Sequence, residues 1–171
     1  MKPNSGSSDV SGHFSASGLA MLMDSPQLHL VEPGELQALK ETLSRGAIPV
    51  EFEAKLKRLG REGLTHYYIE QTSRLFIAIW FATRSGEFLK CDPSHLDLML
   101  KVLAYVAKEN DFIPDYQSNG FTDDYEMIRA TGRQLETLIR DFKEWRLKNQ
   151  VPRFWLKGQE EQSGGLLVNS R

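Results

Sequence analysis

The stretch Leu75-Phe76-Ile77-Ala78-Ile79-Trp80-Phe81-Ala82 decides the fold. Eight consecutive apolar residues fall well short of the roughly 20 that a membrane-spanning helix needs. Its β-branched and aromatic side chains would also suit a buried strand. Yet the run continues an amphipathic segment that starts near Glu62, and no other stretch of the chain shows strand patterning bounded by turn signals. The run is therefore read as the second half of a helix from about Glu62 to Arg84. A helix apolar on every face must be surrounded by others, which makes it the central element of a core.

The sequence on either side is punctuated for helices. Pro33 opens one through about Ser44, with Leu36, Leu39 and Leu43 at spacings of three and four and Gly46 just beyond. Pro49 opens a second, short and charged, with Phe52, Leu56 and Leu59 on one side and Gly60 after it. Downstream, Asp92-Pro93 supplies a capping carboxylate and a preset φ for a helix carrying Leu96, Leu98, Met99, Leu100, Val102, Leu103, Tyr105 and Val106. Thr122 is positioned to cap a last, long helix to about Asn149, with Asp123 and Asp124 in its first turn, where the macrodipole favours acids. Ile128, Thr131, Leu135, Leu138, Phe142 and Trp145 form its apolar seam. The expectation is an all-α fold, a compact bundle of about five helices.

Composition bounds the rest. Residues 1–31 are rich in Ser and Gly and poor in charge, which predicts a disordered leader. Residues 158–171 read as a flexible tail, leaving a single helical domain over 32–157. Leu19–Met23 is too short for a secretory hydrophobic region and follows no basic run, so a cytoplasmic location is expected. With 21 basic against 23 acidic side chains, no global excess points to nucleic acid as a partner. The single cysteine, Cys91, excludes an internal disulfide framework and a multi-thiolate zinc site.

One loop carries a signature: Tyr105, then Asp111, Ile113-Pro114-Asp115, Gly120, and the pair Asp123-Asp124. This order resembles the YkvA-like domain, a bacterial family without an assigned activity, over roughly residues 89–146. The aromatic and basic run Asp141-Phe142-Lys143-Glu144-Trp145-Arg146 matches the end of the family's last helix. Where family members carry a second apolar Ile-Pro, this chain has Tyr116-Gln117-Ser118-Asn119. The resemblance implies a helical fold and supplies no activity. Because small helical domains without a converging polar site usually act by surface recognition, we expect a non-catalytic interaction or scaffold module that binds a protein partner.

Elementary chemistry adds two alternatives. Asp111, Asp115, Asp123 and Asp124, with Glu126 nearby, are the ligand type that Mg²⁺ or Ca²⁺ requires, so this acidic loop could serve a divalent-cation-binding protein or enzyme. The competing reading is local: acids favour a helix N-terminus, and Asp side chains flanking a Pro turn accept backbone N–H bonds. The second alternative is the last helix. From Arg129 to Lys157 eight basic residues face three acidic ones, interleaved with Phe142, Trp145, Phe154 and Trp155. Arg146, Arg153, Phe154 and Trp155 could contact an anionic surface, a nucleic acid or a membrane periphery, unless the aromatics pack inward. Cys91 beside His95 suggests a nucleophile and base, yet no third orienting residue is evident. No catalytic residue is assigned.

Overall fold

The computed structural model of the protein describes residues 16–109 and 111–149. Seven α-helices and one short 3-10 turn make up these residues, with no strand among them. The helices are α1 (Ala16–Met23), α2 (Pro33–Ser44), α3 (Val50–Leu59), α4 (Leu64–Arg84), α5 (Pro93–Ala107), α6 (Thr122–Gln134) and α7 (Glu136–Asn149). The 3-10 turn spans Leu28–Leu30. The all-α expectation holds, and the count of about five is too low.

The apolar run in α4 behaves as its composition requires. Phe76, Ile77 and Ile79 are fully buried, Trp80 nearly so, and α4 packs against α2, α3, α5 and α6. Its neighbour α5 buries Leu98, Met99, Val102, Leu103, Tyr105 and Val106. These two helices form the centre of the core, and the ends of the others close around them. Asp92 is the N-cap of α5 and Pro93 its first residue, as expected. The cap works through the Asp92 carbonyl, which accepts the N–H groups of His95 and Leu96, rather than through the side chain.

Three boundaries differ from the expectation. The first concerns the leader. Residues 16–31 lie within the stretch expected to be disordered, yet Ala16–Met23 is a helix against α5 and α6. Leu19, Leu22 and Met23 pack on the core, and Leu28 is buried within it. Average composition hid four apolar residues spaced to cover one face. Residues 1–15 and the tail at 158–171 lie outside the described residues.

The second difference is the long last helix, which is two helices. At Leu135 the backbone turns to φ −102° and ψ 16°. The bend keeps the seam on a curved core: Leu135 is fully buried, and Phe142 reaches Phe88 with ring centroids 5.3 Å apart. The third difference is the start of α6. Phe121 takes the N-cap position, and Thr122 is an exposed first residue with no capping hydrogen bond from its side chain.

Candidate metal centre

The acidic loop and α3 meet at the end of α5. In α3 the apolar stripe Phe52, Leu56 and Leu59 has one more member at the same helical spacing, Lys55, which is buried as deeply as its neighbours. Its ammonium is carried into the core end of the bundle. There it lies 2.7 Å from Asp115 Oδ2 and 3.3 Å from Asp124 Oδ2. It also donates to the Lys108 carbonyl at 2.7 Å. Of these contacts the one to the Lys108 carbonyl is a hydrogen bond, while Asp115 and Asp124 are ion-pair neighbours whose Oδ2 atoms receive no hydrogen bond.

Asp123 has a separate task. Its Oδ2 accepts the Ile113 N–H at 3.1 Å and the hydroxyl of Tyr105, and that hydroxyl accepts the Phe112 N–H at 3.2 Å. The buried Tyr105 on α5, the first turn of α6 and the Asp-Phe-Ile segment are thereby tied together. The backbone N–H bond expected from the sequence for Asp111 or Asp115 at the Pro turn is thus accepted by Asp123 from the start of α6. Asp123 does not join the convergent group.

The convergent group is Asp111, Asp115 and Asp124. Each offers a carboxylate oxygen, and these oxygens lie within 4.8 Å of one another. Asp124 is 0% exposed and its Oδ1 has no hydrogen-bond partner. Both oxygens of Asp111 and Oδ1 of Asp115 are buried in the same condition. Buried carboxylate oxygens without donors are costly, and one lysine offsets only part of the charge. The titration behaviour follows from this crowding. Burial, then the neighbouring Asp123 charge, pushes the Asp111 carboxyl up to about 6, against the pull of Lys55. Burial raises Asp115 as well, with Lys55 acting in the opposite sense. Burial holds Asp124 well above the usual carboxylate range.

Gly120 and Pro114 shape the loop that carries these groups. Gly120 is buried against the backbone of Pro114 and Asp115, with no room for a side chain. Ile113 is only half-buried, and its backbone N–H, held by Asp123, fastens the segment. Phe112 beside it is exposed.

Lys55 escaped the sequence reading because it lies 53 residues before Lys108. A signal was nevertheless present, a charged residue set into an apolar stripe. The remaining candidates do not join the cluster. Cys91 hydrogen-bonds the Asp92 carbonyl at 3.7 Å, and burial pushes its thiol up to about 11 rather than down. Phe142 and Trp145 stack on each other and meet Phe88, which is the inward-packing alternative for the last helix. Arg146 is half-buried in the last turn of α7, while Arg153, Phe154 and Trp155 lie outside the described residues. No helix among the described residues is long and apolar enough to cross a membrane. Comparison of the chain with family models, curated proteins and solved structures finds no match.

Proposed function

We propose that the chain is a non-catalytic helical module that holds one hard divalent cation, Mg²⁺ or Ca²⁺, between Asp111, Asp115 and Asp124. One observation carries the reading. With Lys55 as an ion-pair neighbour, the buried Asp124 still has neither carboxylate oxygen hydrogen-bonded, and Asp111 and Asp115 converge on it. An all-oxygen, all-carboxylate donor set suits these two ions and disfavours softer metals. The raised titration of Asp111, Asp115 and Asp124 adds that an entering ion displaces protons.

The non-catalytic part rests on Cys91, whose thiol is shifted away from the reactivity a nucleophile needs. The order of Tyr105, Asp111, Ile113, Pro114, Asp115, Gly120, Asp123 and Asp124 supports kinship with the YkvA-like domain. A bacterial, cytoplasmic module that recognises a protein partner is the role that fits this kinship.

Titration calorimetry of the full chain with CaCl₂ and with MgCl₂, in buffers of different ionisation enthalpy, tests the cation. Binding at one site with net proton release is expected, and Asp124→Asn should abolish it. No heat and no thermal shift with either salt up to about 10 mM, beyond the weakest natural calcium modules, would overturn the reading.

A further inference from the structure

Lys108 contacts the acidic centre and the N-terminal arm at once. Its carbonyl accepts the Lys55 ammonium that lies between Asp115 and Asp124. Its own ammonium donates to the Leu30 carbonyl at 3.0 Å and to both oxygens of Glu35, at 2.8 and 2.7 Å. Glu35 in turn accepts the Glu32 N–H in the capping box that starts α2. Lys108 is the C-cap of α5, and Asp111 follows three residues later in the sequence. One side chain therefore fixes residues 30–35 at the point where the acidic loop departs.

We propose that cation occupancy of the Asp111–Asp115–Asp124 centre and docking of the arm formed by residues 16–31 are coupled through Lys108. The inference rests on the cation reading above. An ion shared by Asp111, Asp115 and Asp124 joins the loop to α6 and removes freedom from the segment that begins at Lys108. The Lys108 backbone is then held from two sides, by the loop and by Lys55. Its ammonium presents a fixed anchor to Leu30 and Glu35. The arm depends on such an anchor because it is attached by few groups: Leu28 is its one buried residue, with Leu19, Leu22 and Met23 half-covered. Short, sparsely anchored elements open first, so a change at one anchor registers across the arm. Because coupling is reciprocal, a docked arm tightens the ion by the same factor by which the ion lowers the equilibrium constant for arm opening.

Hydrogen exchange of the full-length protein, followed at residues 19–31 with calcium, with magnesium and with chelator, tests the coupling, alongside calorimetry of the same samples. Exchange in the arm should slow roughly fivefold or more on ion binding, the lower end of typical coupling. Lys108→Gln keeps the backbone carbonyl and removes the ammonium. This variant should still bind the ion, while the arm no longer responds. An ion that binds the wild type without changing arm exchange overturns the coupling and leaves the cation reading standing. Ion-dependent protection that persists in Lys108→Gln also overturns it, since the signal would then travel elsewhere. If calorimetry detects no ion, both readings fall together.

Discussion

A Cβ built on Gly120 would stand 2.6 Å from the Pro114 carbonyl oxygen and 2.7 Å from the Asp115 Cα. Both obstacles are backbone, so neither can rotate aside. The same turn is closed by two hydrogen bonds, Gln117 N–H to the Pro114 carbonyl and Gly120 N–H to the Gln117 carbonyl. Any side chain at Gly120 must therefore displace Asp115, a member of the acidic centre. Gly120→Ala should cost about 1–3 kcal/mol, as overpacking does elsewhere, which outweighs the roughly 0.4–1 kcal/mol returned by stiffening the unfolded chain. Urea denaturation measures the loss. A variant as stable as wild type would show that the turn can open at no cost.

Tyr105 tests whether the loop is fastened by hydrogen bonds or by its apolar side chains. Tyr105→Phe preserves the buried ring and removes a hydroxyl that donates to Asp123 and accepts from Phe112. The Asp123 oxygen then keeps only the Ile113 N–H and the Phe112 N–H loses its acceptor, a loss of two bonds that costs about 1–3 kcal/mol. Ile113→Ala, at a half-buried position, should cost less than Tyr105→Phe. Chemical denaturation of the two variants side by side decides the matter, and the reverse order would make the apolar side chain of Ile113 the stronger fastening.

The helices were legible wherever proline and helical spacing coincided. Pro33 and Pro93 mark the first residues of α2 and α5, and Pro49 precedes α3 directly. Segments whose order depends on what they touch were not legible. The arm looks disordered because the serines and glycines of residues 1–31 as a whole dominate the composition in which it is read, and burial of Leu28 needs α5 to be in place. The bend at Leu135 has no proline to announce it. At the site, the aspartates were visible as a group, but their division of labour was not. Asp123 and Asp124 are adjacent in sequence, and the α6 backbone points one at Tyr105 and the other at Lys55. Lys55 itself arrives by tertiary packing alone.

Leu28 measures how much the arm contributes to the folded state. It is 4% exposed, whereas Met21 on the preceding helix is 76% exposed. Truncating a buried leucine costs about 2–5 kcal/mol, and an exposed position changes within about 0.5 kcal/mol. Leu28→Ala should therefore lower the melting temperature by several degrees, at about 2–4 °C per kcal/mol for a chain of this length, while Met21→Ala leaves it unchanged. Calorimetric melting of both variants checks this. Equal melting points would mean that the arm adds nothing to global stability, as expected of a disordered leader.

Asp111 should change sign as a stability determinant when the ion is present. Its carboxyl has a usual value of 3.8 and is pushed up to about 6 by burial first and by Asp123 second. A raised acid binds its proton more tightly in the folded state, so stability falls as pH rises through the window between those two values. Above pH 6 the folded protein carries a buried charge that the unfolded chain would solvate. In chelator at pH 7.5, Asp111→Asn should therefore melt higher than wild type. That advantage should shrink toward pH 4, where both side chains are neutral. Saturating calcium or magnesium should reverse the order, because the wild type gains about 2.7 kcal/mol at a hundredfold excess over its dissociation constant and the variant has lost a ligand. Melting curves over pH 4–8, with and without ion, contain both halves of the test. A variant less stable than wild type in chelator at pH 7.5 would mean that the Asp111 charge is already compensated within the protein. The centre would then have no unmet need for a cation.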